Sequence, residues 1–164
     1  MTEEAEGPYS GYADADERPP FAAYATFALV FNGAMAGAVA AAKRSGRDLP
    51  ERVELQDLAL IGAASYKLSR LVAKKKITSF VRAPFTEFQG KGGPAEVDEK
   101  ARGSGVRRAV GELLTCPYCL GLWASGGFHA GLLFAPRSTR FTASVLSAMT
   151  ISDFLQIAYR AVED

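Results

Sequence analysis

Cys116 and Cys119 are the only cysteines in the chain, and they stand three positions apart at the start of a long apolar run. Thr115 is suited to cap a helix there, and Pro117 is suited to its first turn. Residues at this spacing share one face of a helix, and the helix dipole lowers thiol pKa values at that end. The pair could therefore carry thiol–disulfide exchange. Two thiolates are also half of a tetrahedral zinc site.

The residues that would complete either site within one chain are missing. A membrane thiol oxidoreductase usually relays electrons through a second cysteine pair, which this chain lacks. The only histidine, His129, lies ten residues beyond Cys119, and this is about 15 Å along a straight helix. Zinc would then have to be shared by cysteines of two chains on a two-fold axis. We expect reduced cysteines packed at the cytoplasmic end of a helix without a cofactor, and we keep shared zinc and thiol redox chemistry as alternatives.

Composition and charge indicate the broad class of protein. The chain has 164 residues with 19 basic and 18 acidic side chains, so its overall charge gives no reason to expect a nucleic-acid partner. Residues 1–20 contain six acids and one base, interrupted by glycine and proline, and this composition predicts a disordered acidic tail. Residues 21–164 alternate long apolar runs with charged stretches, which is typical of a membrane helix-bundle domain.

Four stretches of the chain are candidates for membrane helices. Residues 21–42 carry no formal charge, and a helix of that length crosses a hydrocarbon core of about 30 Å. Residues 113–135 and 141–162 are the other two expected spans, whereas 55–72 contains charged side chains and is either a span or an interfacial helix. Sustained period-two alternation is absent. The sequence therefore predicts an all-α fold, a small integral-membrane bundle of three to four apolar helices without a sheet.

The segment 73–112 is expected to be a basic cytoplasmic loop. It holds nine basic and five acidic side chains, and loops rich in Lys and Arg remain on the cytoplasmic side of a membrane. Glycines across 90–105 predict a mobile centre. The bases of 43–54 favour the same side of the membrane, and this requires that 55–72 does not cross. Four crossings, with the acidic tail and the large loop on one side, are the alternative.

Three polar side chains fall inside the expected spans, where such groups are candidates for function. Asn32 could hydrogen-bond across a pair of helices, and His129 is expected to hydrogen-bond a neighbouring helix. Asp153 needs a partner, for which Lys67 or Arg70 is suited. A buried ion pair of this kind is favoured over a proton or ion path, because a few short segments without an inverted repeat make a poor transporter.

Glycines four residues apart mark two faces on which helices could approach closely. They are Gly33 and Gly37 in the first span, and Gly127 and Gly131 on either side of the histidine. Faces of this kind support close helix packing in lipid. In the first span, chance spacing within an alanine-rich stretch is an equally good interpretation.

Three motifs follow one another between residues 58 and 135. An apolar helix ends in an arginine-rich turn, an Arg-x-Pro-Phe element follows, and a Cys-x-x-Cys-x-Gly-x-Trp helix completes the pattern. This combination resembles the bacterial integral-membrane family known as domain of unknown function 1360. The resemblance implies a multi-pass protein of the bacterial cytoplasmic (inner) membrane, and it implies no activity. The residues that carry it are Arg70, Arg82, Pro84, Phe85, Cys116, Pro117, Cys119, Gly121 and Trp123.

The sequence lacks the motifs of the common enzyme classes, including phosphate-binding glycine loops, serine nucleophile motifs and paired catalytic carboxylates. It also lacks a basic helix with interleaved aromatic residues for nucleic acid, and no small-molecule substrate is indicated. We therefore expect a non-enzymatic scaffold or interaction subunit that lies in the lipid bilayer and self-associates or binds a protein partner. Thiol-redox or zinc chemistry at the cysteines is the main alternative, and a part in ion or proton transport is a further one.

Overall fold

The computed structural model describes residues 11–13 and 18–163, so most of the predicted acidic tail lies outside the described residues. Four long helices form a bundle, and a polar segment is inserted between the second and the third of them. The long helices are α1 (Phe21–Arg44), α2 (Leu55–Lys74), α5 (Pro117–Phe134) and α6 (Pro136–Glu163).

The inserted segment, residues 75–115, is called the cap. It begins with a short helical turn, continues in a β-hairpin and ends in a helix that leads into α5. The elements are a 3₁₀ turn (Lys76–Thr78), α3 (Ser79–Arg82), β1 (Thr86–Lys91), β2 (Val97–Ala101) and α4 (Gly105–Thr115). The strands pair antiparallel, with Thr86 opposite Ala101 and Lys91 opposite Val97.

Hydrogen bonds between α2 and α6 show that these two helices run parallel. The Ser147 hydroxyl donates to the carbonyl of Leu60 (2.8 Å), and the Thr150 hydroxyl donates to the carbonyl of Ala63 (3.0 Å). Because a single residue separates the end of α5 from the start of α6, α5 runs in the opposite direction to both.

The first helix packs along α5 in the same direction. The ring of Phe31 meets that of Trp123 edge-on, with the ring centroids 5.3 Å apart. It also covers Gly126, where an added Cβ would lie 2.8 Å from the ring. Seven residues before Phe31, the Tyr24 hydroxyl donates to the carboxylate of Glu112 in the cap. The start of α1, the cap and the end of α6 therefore share one end of the bundle.

The opposite end is called the open end, and it consists of residues 45–54, the end of α5 and the starts of α2 and α6. Helix α2 lies between α5 and α6 and supplies much of the core, including Ile61, Ala64 and Ala73. Helices α1 and α6 instead expose most of their apolar side chains. They are the two described helices that are long and apolar enough to cross a membrane. Only 6% of the most apolar 18-residue stretch of α1 is buried, and only 17% of that of α6.

The predicted fold class is wrong in two respects, and the first is the sheet. The described residues contain a two-stranded antiparallel sheet, although the sequence predicted an all-α fold. The strands were not apparent because their buried residues are few, with Thr86 in β1 and Val97 in β2, so hydrophobicity does not alternate along them. The glycine-rich stretch 90–105, which was expected to be mobile, forms the hairpin turn, strand β2 and the start of α4.

The second respect is the number of apolar helices, which is two rather than three or four. Helix α2 is not apolar enough to be counted because it contains four charged residues, Asp57, Lys67, Arg70 and Lys74. Helix α5 is the shortest of the four and contains His129 and several glycines. Apolar length alone therefore does not identify the whole bundle.

The helix expected over 113–135 is broken at Cys116, where the backbone is extended. Helix α4 ends before this residue and α5 starts after it. Thr115, which was expected to cap α5, donates its hydroxyl to the Gly111 carbonyl of α4 (2.9 Å). The Cys116 sulfur is the cap of α5 instead, because it accepts from the backbone N–H of Cys119 (3.1 Å).

Candidate functional site

A cluster of charged side chains joins the cap to the end of α2, and Arg82 lies at its centre. The Arg82 side chain is 0% exposed. Its guanidinium donates to the carboxylate of Glu99 in β2 and to the carbonyls of Val72 and Lys75. The last carbonyls of a helix have no partner within that helix, so Arg82 satisfies the end of α2 and binds β2 to it with one planar group.

Glu96 in the hairpin makes a second attachment to α2. Its carboxylate accepts hydrogen bonds of 2.8 and 2.9 Å from Arg70, and it lies 3.3 Å from the ammonium of Lys75. Burial raises the pKa of Glu96, but the hydrogen bonds and the positive charges of Arg70 and Lys75 together outweigh burial, so that the pKa lies below its ordinary value. Both arginines of the sequence motif therefore bind acids of the hairpin.

Asp153 forms an ion pair with Lys67, which is one of the two partners expected from the sequence. The Lys67 Nζ lies 2.6 Å from Oδ2 of Asp153, and the two side chains are 6% and 39% exposed. Arg70, the other expected partner, is bound to Glu96. The pair joins α6 to α2, and breaking it would leave the buried Lys67 charge uncompensated.

Pro84 and Phe85 offer backbone carbonyls to which the rest of the cap is attached. Arg107 donates to the Pro84 carbonyl (2.8 Å), and the backbone N–H of Arg102 donates to the Phe85 carbonyl (3.0 Å). Helix α4 approaches so closely that a Cβ at Gly111 would lie 2.5 Å from the Phe85 carbonyl oxygen. The Arg-x-Pro-Phe element thus lies at the centre of the contacts that fold the cap.

Cys116 and Cys119 are joined in a disulfide, and this corrects the expectation of reduced, packed thiols. Pro117 occupies the first position of α5 between them, and Cys119 is exposed. A disulfide offers no thiolate to a metal, so zinc shared between two chains would require reduction and stays a prediction. No group of three or more His, Cys, Asp or Glu side chains that could hold a metal ion occurs within residues 11–13 and 18–163.

Two glycines of α5 lie at contacts within the chain. A Cβ at Gly121 would be in ordinary contact with the Ser69 hydroxyl of α2, at 3.9 Å. A Cβ at Gly131 would lie 2.6 Å from the Thr139 hydroxyl of α6. Trp123, the last residue of the motif, contacts α1 through the ring pair described above. These residues place α5 against its three neighbouring helices.

Other small residues singled out in the sequence face open space in the single chain. A Cβ at Gly33, Gly37 or Gly127 would meet nothing within 4 Å. The Asn32 side chain donates to the Ala28 carbonyl of its own helix (2.8 Å). Contacts of these positions with another copy of the chain stay a prediction.

The open end contains an ion pair that was not apparent from the sequence. Arg140 donates hydrogen bonds of 2.9 and 2.7 Å to the two carboxylate oxygens of Asp57, which ties the start of α6 to the start of α2. Asp57 lies in the first turn of α2, where the helix dipole stabilises an acid without a partner. Its position in the sequence therefore did not indicate an ion pair. The partners of the motif arginines, Glu96 and Glu99, were likewise missed, although a buried arginine requires an acid.

His129 also lies at the open end. Its Nδ1 atom is 2.8 Å from the Ser125 carbonyl oxygen. A carbonyl oxygen only accepts hydrogen bonds, so Nδ1 donates to it, and in the neutral form of the ring Nε2 is then an acceptor. The ring is therefore oriented by its own helix, whereas a hydrogen bond to a neighbouring helix was expected, and Nε2 has no partner among the described residues.

Comparison with known proteins places these features in a family. Residues 60–159 match the family described as "Protein of unknown function (DUF1360)". Two curated proteins of Bacillus subtilis (strain 168) are similar. "UPF0713 protein YngL" is 33% identical over 90 residues, which are 53% of this chain and 65% of that protein. "Sporulation protein YjcA" is 33% identical over 102 residues, which are 60% of this chain and 86% of that protein.

The chain thus covers slightly less than two thirds of the first of these relatives. No solved structure matches the chain. The segment matched by the family contains most of α2, the cap, α5 and most of α6, and it does not include α1.

Proposed function

The chain belongs to the protein family of unknown function DUF1360, and from this premise we propose that it is a multi-pass scaffold of a bacterial cytoplasmic membrane. It has no enzymatic activity in this proposal, and its cap binds a partner protein. The matched segment contains the cap together with the helices that hold it. Both relatives come from a bacterium, which supports the bacterial setting.

The apolar surface of α1 and α6 is the observation that carries the membrane location. Leu29 of α1 is 73% exposed, and Phe141, Leu155 and Ile157 of α6 are 72%, 64% and 63% exposed. Monomeric soluble proteins rarely expose large contiguous apolar patches, and a core helix of a soluble protein would be mostly buried. Lipid is the environment that such helices fit.

In this proposal α1 and α6, the two described helices that are apolar enough to cross a membrane, put the cap and the open end on opposite sides, with the cap in the cytoplasm. Because α1 and α5 run one way and α2 and α6 the other, the cap and the open end lie at opposite ends of the bundle. The nine basic residues of 73–112 outnumber the four of 43–54, which lie at the opposite end of the bundle, and this difference favours the cytoplasm for the cap. In α2, Lys67 is neutralised by its ion pair, and Arg70 and Lys74 lie near the helix end, where long side chains reach the headgroup region.

The cap is suited to present one fixed surface to a partner. Two arginine–glutamate attachments hold it against α2. Phe80 and Phe88 are 75% and 66% exposed on its outside, and Lys91 is also exposed. Exposed aromatic side chains are typical anchors of protein interfaces, and basic side chains near them favour a partner with an acidic surface.

The membrane location is tested by fractionation and by labelling. The full chain should stay in the membrane pellet after a carbonate wash. In a Cys116→Ser/Cys119→Ser background, Glu51→Cys at the open end should react with a membrane-impermeant maleimide in intact cells. Lys91→Cys in the cap should react only after permeabilisation. Release by carbonate, or equal labelling of both positions in intact cells, would contradict the proposal.

The partner of the cap is tested by a photo-crosslinking side chain introduced at Phe88. It should give a discrete crosslinked protein, and the product should be lost when Arg82→Leu loosens the cap. Phe141 is the matched control, because it is equally aromatic and exposed but lies on α6. Identical products from both positions, or none from Phe88, would show that the cap binds no partner.

A second function, thiol–disulfide exchange, is favoured by the disulfide at the start of α5. A bridge that closes so short a loop adds only about 2 kcal/mol by loop entropy. A thiolate of a partner protein would attack the sulfur of the exposed Cys119, form a mixed disulfide and release Cys116 as a thiolate. The second thiol of the partner would then displace Cys119. The partner loses two electrons and two protons, and this chain gains a dithiol.

Redox titration of the purified chain in glutathione buffers separates this function from a structural bridge. A midpoint between about −180 and −270 mV would indicate a pair that exchanges with partner thiols, and a midpoint below about −300 mV would indicate a structural disulfide. The Cys116→Ser/Cys119→Ser variant gives the background of the measurement.

A further inference from the structure

The open end holds a cavity of about 610 Å³ with two kinds of lining. The apolar part comes from α1, α5 and the segment 45–54, with Met35, Val39, Leu49, Pro50, Val53, Leu132 and Leu133. The polar part consists of His129 of α5 and of charged side chains from 45–54 and from the starts of α2 and α6. Ligand sites in proteins combine apolar walls with a few polar groups in this way.

The charges that 45–54 contributes to this lining make no ion pair with any described residue. Asp48, Arg52 and Glu54 have none, and Arg47 contacts the ring of Phe134, with its guanidinium carbon 5.7 Å from the ring centroid. Asp57 and Arg140, which also line the cavity, are already paired with each other by two hydrogen bonds. Two cations and two anions therefore face one cavity without pairing with each other.

His129 adds Nε2, which is an acceptor in the neutral form of the ring, to the same lining. The proton on Nδ1 is used by the Ser125 carbonyl, and Nε2 has no hydrogen-bond partner among the described residues. A lone pair of this kind fits an N–H donor of a ligand.

We infer that the cavity binds a zwitterionic amphiphile that carries a phosphate and a primary ammonium, which is the chemistry of a phosphatidylethanolamine head group. The phosphate accepts hydrogen bonds from Arg47 and Arg52, as guanidinium groups favour. The ammonium donates to Asp48, Glu54 and Nε2 of His129. The first carbons of the acyl chains lie on the apolar walls, and the rest of the chains follow the exposed face of α1.

Other classes of ligand fit this lining less well. A purely anionic head group brings its charge next to Asp48 and Glu54 without a cation to offset them. A quaternary ammonium has no N–H to donate to His129. An apolar molecule leaves all the charges without partners. The inference rests on the proposed membrane location for the natural source of the lipid, whereas free phosphoethanolamine presents the same polar groups without the chains.

Binding is measured on the purified full chain in detergent by calorimetry, with dihexanoyl lipids below their micelle concentration. The phosphatidylethanolamine should bind about tenfold more tightly than the phosphatidylcholine or phosphatidylglycerol of the same chain length, because each of these loses charge-assisted hydrogen bonds. Free phosphoethanolamine should bind more weakly than the lipid, since it leaves the apolar walls uncovered. Equal affinities for the three lipids, or a free head group that binds as tightly as the lipid, would overturn the inference.

A pair of matched variants tests the assignment to this cavity. Arg52→Gln/Glu54→Gln should bind phosphatidylethanolamine about tenfold more weakly than the parent does, so that the preference over the other two lipids disappears. Arg137→Gln/Glu51→Gln removes one cation and one anion at the same end outside the lining, and it should bind as the parent does. Unchanged binding in the first variant, or equal loss in both, would overturn the inference.

The test does not depend on the membrane location, because the short-chain lipids bind as monomers. A chain that is released by the carbonate wash and still prefers phosphatidylethanolamine would refute the proposed location and support the cavity. A chain that stays in the membrane and shows no preference would refute the cavity alone.

Discussion

In the cap, Arg82 and Glu99 are buried against each other, whereas at the open end Arg52 and Glu54 line a cavity without forming an ion pair. The residue types are the same, and burial makes the difference. A charge without solvent requires a partner within the fold, since the cost of leaving it alone is several kcal/mol. A charge that water still reaches keeps its capacity for a ligand. The cap is therefore held by buried ion pairs, whereas at the open end Asp57 and Arg140 pair and the charges of 45–54 remain without an ion pair among the described residues.

The strongest test of this contrast is Arg82→Leu. The change leaves Glu99 as a buried, unpaired charge and removes the donors for the last carbonyls of α2, so the free energy of unfolding should fall by about 3–5 kcal/mol. Thermal unfolding in detergent, followed by the fluorescence of Trp123, measures the loss. Arg102→Leu removes an arginine of the cap whose side chain makes long, exposed hydrogen bonds to the Pro84 carbonyl, of 3.3 and 3.4 Å, and should cost about 1 kcal/mol or less. A loss no larger than that of this control would refute the role of burial.

A smaller effect is expected from Gly111→Ala, which tests whether close packing also holds the cap. The new Cβ would lie 2.5 Å from the Phe85 carbonyl oxygen and 2.8 Å from the Cβ of Ala101, and such overpacking costs about 1–3 kcal/mol. Gly62→Ala on α2 is the control, because a Cβ there meets nothing within 4 Å and alanine favours the helix by about 0.5–1 kcal/mol. Equal melting temperatures for the two variants would contradict this packing.

Acid should loosen the cap through Glu96. Burial raises the pKa of this carboxyl, but the hydrogen bonds and the positive charges of Arg70 and Lys75 together hold it below its ordinary value of 4.5. Its contribution to stability is therefore complete above pH 4.5 and is lost as the pH falls through the lowered pKa. Protease protection of the hairpin should decline in acid. Glu96→Gln should be cleaved about tenfold faster at neutral pH and should change less in acid. Parallel pH profiles for the two proteins would speak against this attachment.

The smallest effect on stability is expected at the open end, from Arg52→Gln. Its side chain makes no ion pair with the described residues, so the free energy of unfolding should stay within about 0.5 kcal/mol of the parent. The same thermal measurement applies, with Arg82→Leu as the reference for a charge that is paired. A loss as large as that reference would mean that the charges of 45–54 hold the fold as the buried pair of the cap does, and the contrast would disappear.

Parts of the bundle were predictable because they depend on local composition. The apolar run 21–42 lies within helix α1 (Phe21–Arg44), since uninterrupted apolar length determines such a helix. The ion pair of Asp153 was predictable because a charge in an apolar helix requires a partner. The cysteine spacing marked the start of a helix correctly, but spacing alone does not determine whether the two sulfurs are reduced or bonded.

The cap and the charges of the open end were not predictable, because they depend on residues that are far apart in the chain. Asp57 and Arg140 are separated by 83 positions. The hairpin is stabilised by attachment to α2 more than by its own side chains, and an isolated two-stranded hairpin is at best marginally stable. Its sequence therefore carries few of the signals by which strands are recognised.

The hydrogen bond between Tyr24 and Glu112 joins residues 88 positions apart. At synthesis rates of about 5–20 residues per second, roughly 4–18 s pass between their emergence from the ribosome. During that interval α1 has neither α5 nor the cap to pack against. In the proposed membrane location, the order of translation therefore requires the first helix to be inserted early and to wait in lipid, and slowing translation of the cap should prolong its exposure to membrane proteases.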